Sequence, residues 1–362
     1  MVRRAMARYA YEPDYAVQPG ATLLETIEVQ GIAQKELAQR TGFTEKHISQ
    51  IIRGKAPISP GAAIRFERVT GVPAHLWNAL EAKYQERLAR QEANERLEAD
   101  LEWLECIPVK ELMKREAIVE SKDRIAVLDS VLHFFGVASV EAWRTGWDTP
   151  EFAFRKSTAH ASQTGALAAW LRQGEIEAAS RACQPYDPKR FRANLDVIRS
   201  LTVTDPQVFV PQMIASCADA GVALALVPEI KGAPVSGAAK WLTSTKGMIC
   251  MNLRGKANDR FWFTFFHEAG HLLNDSKREV FVDVNYLDDP YERTANEFAC
   301  HLLIPARYDT TLSALRSEAE VVKFAARIGI HPGIVVGRLQ REEIVPYSHL
   351  NKLKAKLEWS HK

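Results

Sequence analysis

From residue 21 to residue 90 the apolar positions recur at helical spacing. Leu23, Leu24 and Ile27 begin one stripe, Leu37 and Ala38 a second, and Ile48, Ile51 and Ile52 a third. Gly31, Gly42, Gly54 and Gly71 interrupt them, which predicts a bundle of short helices. From Pro73 the pattern runs on, charged on one face, to Pro108, and predicts one long connecting helix. Between 109 and 205 the segments ELMKREAIV, VLDSVLHFFGV, ALAAWLRQGEIEAASRAC and FRANLDVIRSL keep helical spacing, with loops at GWDTPE, CQPYDPKR and TVTDPQ. No chemistry is legible there; the stretch reads as a helical spacer or a receptor for a partner.

Beyond Val210 the texture changes. GVALALVPE, VSGAAKWLTST and GMICMNL are short apolar runs bounded by Gly and Pro, and predict three strands. Helices follow at about 259–274 and 292–303, and the tail is helical again. The tail reads as two short helices about a Gly turn. Its run of Ile334, Val335 and Val336 suits packing beside a core, since a DNA-reading face needs polar groups. The fold class is therefore α+β. The expected divisions are an arm at 1–16, an all-α bundle at 17–92, a helical middle region at 93–208, a unit with a small sheet at 209–310 and a helical extension at 311–362.

Composition narrows the picture. A hydrophobic content of 46% supports well-buried cores over 362 residues, too many for one small domain. The net charge of +2 confines any nucleic-acid surface to a local patch. Five scattered cysteines with no CxxC read as reduced thiols of a cytoplasmic protein. The first twenty residues lack the apolar stretch of a secretory signal, and no apolar run approaches spanning length, so no membrane association is expected.

The segment FWFTFFHEAGHLLND carries the chemistry. Its first six residues are uncharged and five are aromatic, yet His267, Glu268 and His271 follow at once. Two histidines four apart on a helix leave one face about 6 Å apart along the axis, close enough for both to hold one Zn²⁺. Glu268, about 100° round, can reach a water on the metal as general base. A helix with two surface histidines would carry the same letters. The aromatic turn and a half before them demands burial instead, and burial of these groups without partners costs several kcal/mol. A third ligand is available in DDPYERTANEFACHLLIP. Glu292 opens a helix after Pro290, and Asn296, one turn on, can orient its carboxylate from behind. Glu297 is the rival, about 140° away, and lacks that partner. Two His and one Glu leave a fourth position open, as catalytic zinc sites do.

DRFWFTFFHEAGHLL followed by ERTANEFACHLLIP resembles the ImmA/IrrE family of zinc metallopeptidases, over roughly residues 210 to 305. The resemblance implies a zincin-like fold, His267, His271 and Glu292 as ligands, Glu268 as base, and cleavage of a repressor protein as the activity. The family's pair of acidic residues before AN is half absent, because Thr294 stands just ahead of Ala295, which leaves Glu292 as the upstream carboxylate. Tyr286, Tyr291 and His301 are candidates for stabilising the oxyanion.

A second motif lies upstream. A helix from Gln34 to Arg40 ends at Thr41-Gly42, and Thr44 can N-cap a second helix, the layout of a helix-turn-helix. Ile48 and Ile51 face the core. Thr44, Glu45, Lys46, Ser49 and Gln50 are then the candidates to meet DNA, with Gln34 and Arg53 set for phosphates. Glu45 repels phosphate and suits a cytosine amine. Residues 17 to 84 closely resemble HigA-type antitoxins of the Xre-like superfamily, from the PG opening to the LWNALEAKY close. That resemblance implies a homodimer on double-stranded operator DNA, and a toxin partner. Two functions therefore compete. One is a DNA-binding repressor whose own zinc peptidase cleaves a repressor, itself or a partner, to relieve repression. The other is a non-catalytic HigA-like antitoxin that uses the peptidase fold for partner or signal binding.

Overall fold

A computed structural model describes residues 17–147, 161–233, 235–274, 281–282 and 290–359. The expected arm at 1–16 and the oxyanion candidate Tyr286 lie outside them, as does most of the GWDTPE loop. The chain forms two compact units that meet in sequence between Asp100 and Leu101.

The first unit is all helical: α1 Pro19–Val29, α2 Gln34–Thr41, α3 Glu45–Ile52, α4 Pro60–Thr70 and α5 Ala74–Ala99. Its core joins Leu23, Ile27, Leu37, Ile48, Ile51, Phe66 and Trp77, which are the expected stripes. Gly42 caps α2 in the left-handed region (φ 71°), where a side chain would be strained. Thr44 then caps α3, its hydroxyl accepting the His47 N–H at 3.1 Å. The long helix expected to reach Pro108 stops at Ala99. Leu101–Cys106 is a 3-10 turn instead. Three residues per turn put Leu101, Leu104 and Ile107 on one side, and Leu104 and Ile107 are buried. Burial of this apolar row overrides the charged periodicity that precedes it.

The second unit continues with α6 Val109–Lys114, α7 Arg124–Phe135, α8 Val140–Trp147, α9 Ala161–Ser180, α10 Pro188–Ser200 and α11 Pro206–Asp219. By composition, 124–146 is apolar enough to cross a membrane. Gly136 ends α7 at φ 69°, however, and Phe135 and Trp143 pack with Trp103 in an aromatic cluster. Strands β1 Val222–Leu226, β2 Gly237–Thr243, β3 Lys246–Met251 and β4 Phe281–Val282 form one sheet in the order β1-β3-β2-β4. β1 runs parallel to β3, and the other pairings are antiparallel.

Alternation divides the two faces of the sheet. Cys250 lies under α9, where a Cβ on Gly174 would fall 2.4 Å from its sulfur, and Lys240 on the same face pairs with Glu175 of α9 at 2.5 Å. The opposite face, with Leu224, Ala239, Ile249 and Met251, packs against α12 Asn258–Asn274. Phe191 and Leu195 of α10 and Phe209 and Met213 of α11 join that same core. Helices with no legible chemistry thus supply the walls of the sheet. α13 Pro290–Leu303, α14 Asp309–Leu312, α15 Glu318–Ile328 and α16 Pro332–Arg341 complete the unit. Val321, Phe324, Val335, Val336 and Leu339 enter its core, as the apolar run of the tail foretells.

The crossing of α12 and α13 is tight. A Cβ on Gly270 would sit 3.1 Å from Phe298 Cδ1 and 3.2 Å from Ala295 Cα. Gly270→Val adds a branched side chain where even one methyl crowds, so it forces the helices apart. The expected loss is about 1–3 kcal/mol of unfolding free energy, read from chemical denaturation. An unchanged denaturation midpoint contradicts the close crossing.

Candidate metal centre

α12 is an apolar helix with a polar notch. From Asn258 to Leu272 nearly every side chain is buried, because sheet, α10, α11, α13 and α16 surround it. His267, Glu268 and His271 share that burial, at 2%, 0% and 1% exposure. The helical repeat stacks the two imidazoles, and their Nε2 atoms stand 3.0 Å apart. Glu292, in the first turn of α13, meets both: Oε2 lies 3.2 Å from His267 Nε2 and Oε1 3.4 Å from His271 Nε2. The three donors all lie within 4.8 Å of one another.

These separations bear on what the triangle can hold. Ligands bonded to one tetrahedral ion at about 2.0–2.1 Å stand roughly 3.3 Å apart. The observed separations bracket that value, and the donor set of two imidazoles and a carboxylate suits zinc. The second nitrogen of His267 supports the same reading. Its Nδ1 is 3.1 Å from Asn296 Oδ1, an acceptor, so the proton belongs on Nδ1 and the Nε2 lone pair faces the triangle. Asn296 was expected behind Glu292. It orients His267 instead, because the close crossing at Gly270 brings α13 alongside the outer edge of the imidazole. Burial alone would raise the Glu292 carboxyl, but hydrogen bonds from His267 and His271, and then their charge, hold it down at about 2.

Glu268 projects from α12 toward the first residue of β2. A Cβ on Gly237 would fall 2.5 Å from Glu268 Oε1 and 2.5 Å from Thr264 Cγ2. Only glycine leaves room for the carboxylate there. The sequence carries a faint signal for this, a glycine opening an apolar strand, which marks close approach. Gly270 is the other position that pattern reading passed over. Of the remaining candidates, Glu297 is exposed and outside the three-donor group. Tyr291 and His301 are exposed too.

In the first unit, Gln34, Thr44, Glu45, Lys46 and Arg53 are exposed, and Ser49 and Gln50 are partly so, while Ile48 and Ile51 are buried. α3 therefore turns its polar side outward, as a reading helix must. Arg65 donates to Thr41 O at 3.1 Å and lies over the Phe43 ring, which fixes the turn between α2 and α3.

Comparison with known proteins follows the same division. Residues 28–77 match the family model described as Helix-turn-helix, and residues 228–340 match the one described as IrrE N-terminal-like domain. No curated protein matches the chain. Among solved structures, an antidote protein of a plasmid maintenance system from Nostoc punctiforme is similar at 25% identity. The match covers 23% of this chain and 91% of that one, with a TM-score of 0.22. An addiction module antidote protein of a HigA family from Coxiella burnetii is similar at 20% identity over 23% and 92%, also with a TM-score of 0.22. One polypeptide thus carries a helix-turn-helix domain and, beyond it, an IrrE N-terminal-like domain.

Proposed function

We propose that this chain is a DNA-binding transcriptional regulator whose second unit is a zinc endopeptidase, and that cleavage of a repressor protein, itself or a partner, relieves repression. The observation that carries the reading is the buried triangle of His267, His271 and Glu292 with Glu268 beside it. A zinc ion held there would supply a Lewis acid for the peptide carbonyl and for water. The protein does the rest. His267, His271 and Glu292 would hold the ion, and Asn296 fixes the tautomer of His267. Glu268 would take the proton of the attacking water and pass it to the leaving amine. The sheet and α13 exclude bulk solvent around these groups, which strengthens each electrostatic contact. A site used only for binding has no need of a base next to its ligands.

Metal analysis, a cleavage assay and DNA footprinting test the proposal. Purified wild type should carry about one zinc per chain by elemental analysis, with His267→Ala and Glu292→Ala stripped of it. Glu268→Gln should keep the zinc yet lose peptide cleavage by about a hundredfold or more. Equal zinc in the ligand variants shows that the site is wrongly drawn. Equal cleavage by Glu268→Gln removes its role as base. On DNA, a homodimer should footprint a palindrome with half-sites about one helical turn apart. Gln50→Ala should relax sequence preference, and Arg53→Ala should weaken all duplexes alike and flatten the salt dependence. A footprint without dyad symmetry, or no binding at low salt, overturns this part.

A further inference from the structure

The strands and the metal centre follow one another around α12. Side chains of a helix step by about 100° per residue, so with Leu272 at the origin Glu268 stands about 40° round, Thr264 about 80°, His271 about 100° and His267 about 140°, all in one sense. Leu272 meets β3, where a Cβ on Gly247 would fall 3.2 Å from its Cδ1. Glu268 and Thr264 meet β2, where a Cβ on Gly237 would fall 2.5 Å from each. Gly270, at about 200°, meets α13. The next strand outward, on the edge of β2 away from β3, therefore falls on the side of α12 from which the two imidazoles project.

That position is occupied by the chain itself. β4 pairs antiparallel with β2 there, Val282 opposite Ala238 and Phe281 opposite Ala239. The pairing begins one residue from Gly237, where β2 touches Glu268. β3 accompanies β2 from Gly237 to Thr243, whereas among the described residues β4 accompanies it at two positions. So short a strand is held weakly. A sheet edge offers a row of main-chain N–H and C=O groups to any extended chain. A peptide on this edge would pass the triangle and Glu268 with its main chain fixed by β2. Strands of one sheet stand about 4.8 Å apart, so one chain at a time fits beside β2 on that edge.

We infer that β4 is a place-holder: an extended peptide reaches the metal centre by taking the position of β4 on β2, so pairing within the chain and peptide binding exclude each other. The inference rests on the peptidase reading above. It adds a partner class, an extended segment recognised through its main chain, and an inhibitory strand that the segment must displace.

The test uses full-length, zinc-loaded protein with Glu268→Gln, to separate binding from cleavage. An open form adds Phe281→Pro and Val282→Pro, so that neither residue can lend an N–H to β2. A locked form adds Ala238→Cys and Val282→Cys to the parent, with Cys250→Ala because Cys250 stands opposite position 238 on β3. Opposed residues of an antiparallel pair have Cα atoms about 4.5–5.5 Å apart, within reach of a disulfide. Peptides are selected from a random display library on the open form. A selected peptide should bind the open form about tenfold to a hundredfold more tightly than the parent, because the hydrogen bonds of β4 no longer compete. The oxidised locked form should not bind it, and reduction of the disulfide should restore binding. N-methylation of alternate peptide residues should abolish binding to the open form. Equal zinc content and circular dichroism establish that the substitutions leave the fold intact. No selection on the open form, equal binding by open form and parent, or equal binding by the locked form in its two redox states overturns the inference. Selected peptides are then offered to protein with Glu268 restored. Exclusion without cleavage keeps the place-holder and removes the peptidase reading; cleavage at equal rates by oxidised and reduced locked protein removes the place-holder alone.

Discussion

The second unit depends on one close contact, the crossing of α12 and α13 at Gly270 and Ala295. Glu292 stands at the start of α13, one turn before Asn296, and both must reach imidazoles on α12. A Cβ at Gly270 would already press on Ala295 Cα at 3.2 Å. With larger residues the helices would separate, and a carboxylate side chain cannot follow over that distance. Small residues at the crossing are thus what converts two apolar helices into a three-donor centre. Phe298 and Ala299 from α13, and Phe266 and Ala269 from α12, then seal it with apolar contact.

The opposite side of α12 is governed by the same logic. Gly237 lets β2 lie against Glu268 and Thr264, so Glu268 is set by a strand and the three-donor triangle by a helix crossing. The start of α12 is held as firmly. Asn258 bonds His331 at 2.8 Å and accepts the Ala355 N–H at 3.1 Å, and Asp259 pairs with Lys354. These links fix the C-terminal stretch across the head of α12. They show how a tail that reads as an appendage is seated: α16 packs closely on Asn258 and Asp259 through Gly333 and Gly337, and His331, Lys354 and Ala355 supply their partners.

Much of this is legible in the sequence. The three strands, the helix-turn-helix and the two helices that carry the His-His-Glu group all declare themselves through local patterns. Alternation, helical spacing, the Thr44 cap and the glycines at 42 and 71 are decided within a few residues. His267 and His271 are equally local, since four residues of helix suffice to juxtapose them. What was not legible depends on contacts far apart in the chain. The break at Asp100 answers to the burial of Trp103 and Leu104, which the charged repeat conceals. The partner of Asn296 follows from the depth of a helix crossing, which spacing along α13 cannot reveal. The same holds for Gly237, whose neighbour Glu268 lies thirty-one positions on (268 − 237). The helices from 161 to 219 looked like a spacer because their apolar faces name no partner; the partner is the sheet.

The central claim is that His267, His271 and Glu292 converge on one metal ion. X-ray absorption at the zinc edge of the purified full-length protein tests it most directly. The account predicts a shell of light atoms at about 2.0–2.2 Å, with the outer-shell scattering of two imidazoles and no sulfur. A sulfur shell near 2.3 Å, or the scattering of fewer than two imidazoles, would place the metal elsewhere and contradict it.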